Sequence, residues 1–327
     1  MRVAIVGAGA IGGHLAVRAA LGGATVSVLA RGDTLAAIQA RGITVNVAGQ
    51  TLHAPIHAPI HASADPAALG PQDAVLVCVK APSLPAIAPV LAPLLTLATT
   101  VVFVMNGIPW WYYVADATEP DRRLPAIDPG DAIWTAVGPG RAAGGVIYSA
   151  CTVTAPGVVK VEYAQNRLIM GRADGAADAV LDALSDCLTA GGMQMTTTDR
   201  IRDAVWGKLM LNLATGPLAV LTTSTPAQFM LPSPIEPAVR AIVAEIVALA
   251  TAMGARLSPD IEGQIAFMRG SQHRQSILQD LELGRPMEVE ALYTTPLAMA
   301  RSRGVPTPVL DLLIALVQVR ARAAGLY

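Results

Sequence analysis

Apolar residues in the first third of the chain form short continuous runs, separated by segments of helical length. The runs lie at residues 3–6, 74–79 and 101–105; residues 11–20 are predicted to form a helix and residues 25–29 a second strand. Strands that alternate with helices predict βαβ units and a parallel sheet. Because the runs are continuously apolar, both faces of this sheet are expected to be covered.

The pattern changes near residue 199, after which strand signals are few. Helices are predicted in this second half at residues 201–213, 237–253, 259–283 (as one or two helices) and 307–324. We therefore predict an α/β N-terminal Rossmann domain, doubly wound around a mainly parallel sheet, at residues 1–197. An all-α C-terminal domain is predicted at residues 198–327, where it serves as a lid, a dimer surface or both.

The uncharged segment 84–105 is long enough to cross a membrane. However, Pro85, Pro89 and Pro93 disfavour one continuous helix, and the segment ends in a β-branched run typical of a buried strand. We interpret the segment as a loop, a short helix and a strand rather than as a membrane span.

Charge and cysteine content narrow the class of partner. The chain has 23 basic and 24 acidic residues and a net charge of -1, whereas a nucleic-acid or acidic-lipid partner requires a basic excess. Cys78, Cys151 and Cys187 are far apart and form no Cys-x-x-Cys pair, which indicates a reducing compartment. The N-terminus lacks the features of a signal peptide. We expect a cytoplasmic monomer or homodimer with a small-molecule substrate and no nucleic-acid or membrane partner.

A tandem repeat at residues 53–60 brings His53 and His57 into regular spacing with His61. Spaced histidines suggest metal ligands, but no cysteine or carboxylate cluster accompanies them in the sequence. We interpret the repeat as a duplicated strand or loop segment, and we predict no metal site.

A glycine motif follows the first strand and opens the first helix. Residues 7–12 read Gly-Ala-Gly-Ala-Ile-Gly and fit G-x-G-x-x-G in the context that gives this motif its meaning. The first glycine allows a tight turn, the second lets a pyrophosphate approach the backbone, and the third lets helix and strand pack closely. The helix N-terminus offers free N–H groups to the phosphates. The predicted dinucleotide contacts in this loop are Gly7, Gly9, Ala10, Ile11 and Gly12.

Residues at the ends of later strands indicate which dinucleotide binds. Arg31 follows the second strand, where an NAD enzyme usually carries an acidic residue, and Asp33 comes slightly late. An arginine there can pair with a 2′-phosphate, so NADP(H) is predicted; the alternative is a solvated surface arginine. Lys80 and Asn106-Gly107 follow the next two strands at the sheet edge where ligands bind, although singly they are also typical of a strand-end charge and a tight turn.

The candidate chemistry lies in the second half of the chain. Lys208 and Asn212 are four residues apart and share one face of an otherwise apolar helix. A lysine ammonium can protonate the oxygen of a ketone during reduction and stabilise its developing charge; the alternative is a lysine that snorkels at a helix edge. Further along, Ser276 is a candidate for binding a carboxylate and Glu288 for holding the lysine or a ribose hydroxyl, unless both belong to a cap and turn.

These residues together resemble the ketopantoate reductases (2-dehydropantoate 2-reductases). The resemblance spans nearly the whole chain and rests on the glycine loop, Arg31, Val79-Lys80, Asn106-Gly107, Lys208-x-x-x-Asn212 and the segment from Ser276 to Glu288. It implies an active site in a cleft between a Rossmann domain and an all-α domain. It also implies hydride transfer from NADPH to the 2-oxo group of ketopantoate, which gives pantoate, and it places Lys80 near the cofactor.

The resemblance also implies individual roles. Lys208 is the general acid, and Glu288 supports this lysine and the bound cofactor. The implied substrate contacts are Asn106, which also lies near the nicotinamide, Asn212, and Ser276, which holds the substrate carboxylate.

The chain departs from the family pattern at positions that shape the family's substrate pocket. Gly216 stands where the family often has a second asparagine, His273 where an asparagine precedes the serine, and Tyr293 at the asparagine of a Glu-x-Asp-x-x-Asn-Gly motif. An aromatic cluster at residues 110–113 either lines an altered pocket or packs between domains. The family resemblance therefore predicts the fold and the reaction type better than it predicts the substrate.

Three hypotheses follow from the sequence. The chain is a ketopantoate reductase, an NADPH-dependent reductase of another 2-oxo acid, or a sensor that binds NADP(H) without catalysis. The candidate site residues argue against the sensor, since a sensor does not need all of them: Lys208, Asn212, Ser276 and Glu288.

Overall fold

The computed structural model describes residues 1–54, 60–231 and 234–327. They form two compact units, the first comprising Met1–Met105 and Pro109–Ile201 and the second comprising Asn106–Ile108 and Arg202–Tyr327. The boundary predicted from sequence, between residues 197 and 198, lies close to this division. No sequence pattern indicates that the loop Asn106–Ile108 belongs with the second unit.

The first unit contains twelve strands among its described residues: β1 (Arg2–Val6), β2 (Thr25–Leu29), β3 (Ile43–Val47), β4 (Gln50–Ala54), β5 (Ile60–Ser63), β6 (Ala74–Val77), β7 (Thr100–Val104), β8 (Ala142–Tyr148), β9 (Cys151–Ala155), β10 (Val158–Val161), β11 (Arg167–Arg172) and β12 (Gln194–Thr197). Its α-helices are α1 (Ala10–Leu21), α2 (Gly32–Arg41), α3 (Leu84–Leu91), α4 (Ala132–Val137) and α5 (Ala179–Ala190).

Eight of these strands form one sheet in the order β12-β11-β8-β7-β6-β1-β2-β5. All neighbouring pairs are parallel except β8 and β11, which are antiparallel. The central strands β6 and β7 are completely buried, as continuous apolar runs predict. The predicted mainly parallel α/β fold of this unit is therefore confirmed.

The segment that is long enough to cross a membrane is broken in the structure. Its first part forms the short helix α3, and its last part forms the buried strand β7. A 3₁₀ turn at Ala92–Leu94 ends the helical part. The prediction of a loop, a short helix and a strand is confirmed in outline.

A second, four-stranded sheet was not predicted from the sequence. Its order is β4-β3-β10-β9, so strands from residues 43–54 pair with strands from residues 151–161. The sheet packs against α1 at Gly13, where a side chain would lie 2.9 Å from Val159 Cγ2. The histidine repeat leads out of this sheet; residues 55–59 lie outside the described residues, so our interpretation of the repeat stays a prediction.

Helix α1 carries two polar side chains into the core of the first unit. Arg18 Nε donates to His14 Nε2 at 3.1 Å, and Arg18 Nη1 donates to the Gly191 carbonyl at 2.9 Å. Since Nε2 accepts, His14 Nδ1 carries the proton, and it lies 3.3 Å from Ser149 Oγ, which donates to Asn166 Oδ1. Burial, assisted by the nearby Arg18 charge, lowers the pKa of His14 to about 3.

The aromatic cluster at residues 110–113 is buried within the first unit. The ring of Trp110 meets Phe103 and Trp134 edge to face, with centroids 5.3 and 5.6 Å away. Trp111 fills the space beside Gly144 of β8, where a side chain would collide with its ring. These contacts assign the cluster a packing role against β7 and β8.

The described part of the second unit is helical. Its helices are α6 (Ile201–Thr222), α7 (Pro226–Phe229), α8 (Ile235–Ala252), α9 (Ile261–Gly270), α10 (Ser276–Glu282), a π-helical turn at Glu290–Thr294, α11 (Thr295–Ser302) and α12 (Pro308–Ala323). The predicted all-α composition is confirmed.

Helix α6 runs further than predicted, to Thr222 rather than Leu213. It passes through Gly216 and Pro217, residues that usually weaken or end a helix. The turn beyond Pro217 is buried, and this packing outweighs the local preference. By length and composition alone, α6 is the one described helix that meets the requirements of a membrane span; since 67% of its apolar window is buried, it equally fits a core helix.

The buried His14 predicts a loss of stability in acid. The unfolded chain binds a proton at this histidine below its ordinary pKa of 6.5, whereas the folded chain does so only near pH 3. Stability present above pH 6.5 is therefore lost as the pH falls through this window, by up to about 1.4 kcal/mol per pH unit. Urea unfolding from pH 7 to pH 4 measures the slope.

The slope should become shallower in His14→Gln, although this variant should be less stable than wild type at pH 7, because it disturbs the buried hydrogen bonds. His61→Gln is the matched control, because His61 is exposed and its replacement should keep the wild-type slope. Equal slopes in His14→Gln and wild type would contradict the assignment to His14.

Candidate active site

The glycine loop joins β1 to α1 at the carboxyl edge of the large sheet. Gly7 has a φ of +96°, and a side chain there would lie 2.7 Å from Val79 Cγ1. A side chain at Gly12 would collide with the carbonyl oxygen of Gly7. The fold of this unit therefore requires glycine at both positions.

Gly9 differs from its neighbours, because a side chain there would meet no described atom within 4 Å. It is the N-cap of α1, with an extended backbone and a negative φ. The first N–H groups of that helix, at Ala10 and Ile11, have no partner inside the helix. The loop thus has open space in front of free donors at a positive helix end, which fits a phosphate group.

A cavity opens at this loop within the first unit. Its lining combines the glycine loop with side chains from other segments, including Arg31, Thr34, Ile87, Val90 and Val153. Apolar walls, backbone donors and a cation suit the adenosine and phosphate parts of a dinucleotide. Thr34 and Val153 were not predicted, because neither belongs to a motif, and Val153 lies in β9, which is remote from the glycine motif in sequence.

Of two further predicted cofactor residues, Arg31 lines this cavity and Lys80 follows a residue that lines it. Arg31 is exposed, caps the N-terminus of α2 and lines the cavity. Strand β6 ends at Val77 rather than at residue 79, so Lys80 follows it by a short extended segment and is half-buried. Its neighbour Val79 lines the cavity.

In the second unit, α6 positions Lys208, Asn212 and Gly216 on one face, since they are spaced by four residues. Both polar side chains are half-buried. Beside this face, Trp206 and Leu209 are fully buried, so the helix is packed into the core of the unit here. The amide Nδ2 of Asn212 is buried, and it has no hydrogen-bond partner among the described residues.

The loop with Asn106 packs onto the segment that begins at Glu288. The Ile108 N–H donates to the Ala291 carbonyl at 2.8 Å. Gly107 has a φ of +81°, and a side chain there would collide with the backbone of Ala291. Glycine at 107 therefore permits the close approach that holds Asn106 beside this segment.

Two further segments meet α6 at Gly216. A side chain there would lie 3.4 Å from Ile277 Cγ2, so the start of α10, with the exposed Ser276, lies against this helix. It would also overlap the hydroxyl of Tyr293. Glu288 is only 6% exposed, and after burial its negative charge is the second cause that raises the pKa of Tyr293.

The second unit thus joins four segments: the start of α10 and the segment after Glu288 meet α6 at Gly216, and the Asn106 loop packs onto Ala291. They carry all of the catalytic and substrate residues predicted from sequence, namely Asn106, Lys208, Asn212, Ser276 and Glu288. Gly216 and Tyr293, two separate departures from the family pattern, are in direct contact. Sequence reasoning missed this pairing, and its one signal was that a residue without a side chain and an oversized one both replace asparagine.

Comparisons with known proteins cover both units. The family model "Ketopantoate reductase PanE/ApbA" matches residues 3–175, and the model of its C-terminal part matches residues 200–321. The chain is similar to a 2-dehydropantoate 2-reductase from Mesorhizobium japonicum, at 37% identity over 331 residues that cover 100% of both chains. It is also similar to a crystal structure of a candidate ketopantoate reductase from Ralstonia solanacearum, at 36% identity and a TM-score of 0.90, covering 100% and 99% of the two chains.

A more distant structure shares the fold. It is a D-mandelate dehydrogenase in complex with NADH and anilino(oxo)acetate, 21% identical, with a TM-score of 0.81 and full coverage of both chains. The two family models and the full-length relative are decisive for classification. The chain belongs to the ketopantoate reductase family, and it is an oxidoreductase.

Proposed function

We propose that this protein reduces ketopantoate to pantoate with NADPH as the reductant. The observation that carries the proposal is the α6 face with Lys208, Asn212 and Gly216, which the segments of Ser276 and Glu288 meet at Gly216. The curated relative with full coverage is a 2-dehydropantoate 2-reductase, which supports the same reaction.

The first unit fits a dinucleotide. The open space at Gly9 and the N–H groups at Ala10 and Ile11 would receive the pyrophosphate. Arg31, on the cavity wall, would pair with a 2′-phosphate and favour NADPH over NADH. Lys80 would lie near the cofactor. When bound, NADPH supplies the hydride that adds to the 2-oxo carbon.

The residues of the second unit would supply the proton and hold the substrate. The Lys208 ammonium donates a proton to the oxygen that becomes the hydroxyl of pantoate, and its charge stabilises that oxygen before the transfer. Glu288 is a buried carboxylate, which is stable only with a cation or hydrogen-bond donors beside it, and it would support Lys208 and the cofactor. The remaining substrate contacts are Asn106, Asn212 and Ser276, the last at the carboxylate.

A second candidate is an NADPH-dependent reductase of another 2-oxo acid. The contact of Tyr293 with Gly216 favours it, because this pair replaces two side chains that shape the family's substrate pocket. The distant D-mandelate dehydrogenase shows that the fold also occurs in an enzyme with a different substrate.

All three cysteines are free, which is consistent with the expected reducing, cytoplasmic compartment.

NADPH oxidation at 340 nm tests the proposal directly, with ketopantoate and a panel of other 2-oxo acids, each repeated with NADH. We expect turnover of ketopantoate, with a higher kcat/KM for NADPH than for NADH. Turnover of a different 2-oxo acid alone would select the second candidate. No turnover of any 2-oxo acid would exclude both.

Lys208→Ala should lower kcat by about 10²–10⁴-fold, because it removes the proton donor, while NADPH affinity stays nearly unchanged. Lys160→Ala is the control, since Lys160 is an exposed lysine of β10 and its removal should leave kcat unchanged. NADPH binding without turnover in wild type and Lys208→Ala alike would instead favour a sensor.

Gly9→Ala tests whether glycine at this position is required for cofactor binding rather than for folding. The added methyl group meets open space, so stability should stay within about 1 kcal/mol of wild type. NADPH affinity should fall at least about tenfold, because the methyl group occupies the space of the pyrophosphate. Fluorescence titration and thermal unfolding measure the two effects.

Gly140→Ala is the matched control, because Gly140 also faces open space and lies outside the glycine loop. It should keep both stability and affinity. Unchanged NADPH affinity in Gly9→Ala would contradict the placement of the pyrophosphate.

Arg31→Ala tests the choice of dinucleotide. The loss of one charge-assisted hydrogen bond to the 2′-phosphate should lower kcat/KM for NADPH by about 10–100-fold and leave that for NADH unchanged. Arg41→Ala, at the other end of α2, should change neither value. An equal loss of kcat/KM with NADPH and with NADH would show that Arg31 does not distinguish the cofactors by the 2′-phosphate.

A further inference from the structure

Tyr293 occupies the place of the missing side chain on α6. Its side chain is fully buried, and its hydroxyl lies too close to Gly216 for a Cβ to be added there. The next ring atom, Cζ, is 3.5 Å from that position, which is an ordinary contact. Only the hydroxyl therefore depends on glycine at 216.

The hydroxyl of Tyr293 is buried without a hydrogen-bond partner among the described residues, and so is the Nδ2 of Asn212. Asn212 and Gly216 are one turn apart on the same face of α6, so the two polar groups belong to one part of the structure. Both are donors, and a buried donor without an acceptor is unfavourable. The hydroxyl and the Nδ2 group therefore both require a hydrogen-bond acceptor such as an oxygen atom.

We propose that Tyr293 is a specificity-determining residue whose hydroxyl, together with the Nδ2 of Asn212, donates a hydrogen bond to an oxygen of the 2-oxo acid. This inference rests on the proposed function and deepens it. A carboxylate or 2-oxo oxygen is an acceptor with two lone-pair directions and suits two donors at once. Gly216 is then needed because any side chain there displaces the hydroxyl.

Tyr293→Phe tests the proposal, since it keeps the ring and removes only the hydroxyl. KM for the best 2-oxo acid of the wild-type panel should rise about tenfold, the effect of one lost hydrogen bond. The Kd of NADPH should stay unchanged, and kcat should change much less than KM. Tyr163→Phe is the control, because Tyr163 is exposed and lies in the first unit.

Gly216→Ala provides a second, independent test through coupling. In the wild-type background the added methyl group collides with the hydroxyl, and KM should rise by about tenfold or more. In the Tyr293→Phe background the nearest ring atom is 3.5 Å away, so the same change should raise KM less than about threefold. If Gly216→Ala alone fails to fold, folding of the double variant with Tyr293→Phe shows that removal of the hydroxyl removes the collision.

The outcomes are distinct. An unchanged KM in Tyr293→Phe, with wild-type turnover intact, overturns the role of Tyr293 and leaves the proposed function standing. If the KM for the acid and the Kd for NADPH rise by the same factor in Tyr293→Phe, the variant has a general structural defect. This result also overturns the role of Tyr293. Absence of wild-type turnover with every 2-oxo acid overturns both proposals.

Discussion

The close approach of Gly12 to the carbonyl of Gly7 is the constraint on which the rest of the first unit depends. With no side chain between them, α1 leaves β1 at a short distance and lies flat over the sheet. The N-terminus of α1 thereby comes to the carboxyl edge of the strands, beside the residues that follow β2 and β6. The cavity at Gly9 and Arg31 lies beside this backbone packing.

The same helix explains the buried polar groups of this unit. Because α1 is covered by the large sheet and by the four-stranded sheet, its polar residues have no route to water. Burying an imidazole and a guanidinium is costly unless each polar atom is bonded, and the chain from Arg18 through His14 and Ser149 to Asn166 provides such bonds. The network also joins α1 to segments that are distant in sequence, so α1 is held at both ends: by glycine packing at the cofactor loop and by this network further along.

The sequence predicts what local pattern determines and misses what distant contacts determine. The alternation of apolar runs and helices predicts the large sheet, and the spacing of Lys208 and Asn212 predicts a shared helix face, because both are properties of neighbouring residues. The four-stranded sheet pairs β3 with β10 across more than a hundred residues, a pairing that no local period encodes. Similarly, α6 continues through Pro217 because buried neighbours outweigh the proline, and Asn106 joins the second unit because Gly107 fits against Ala291.

The pairing of Gly216 with Tyr293 shows why the reaction can be inferred more securely than the substrate. In the proposed function the proton donor acts through one charged atom, that of Lys208, and its helix spacing to Asn212 is enough to present it. A substrate pocket depends on the volume and hydrogen-bonding groups of several segments, so two changes that look disruptive one at a time can compensate for each other in space. Here one position loses its side chain and another, remote in sequence, gains a ring whose hydroxyl fills that space. In the proposed role of Tyr293, the pocket is altered in its hydrogen-bond donors while the packing of α6 against its neighbours is retained. The chemistry of those donors, rather than family membership, then decides the substrate.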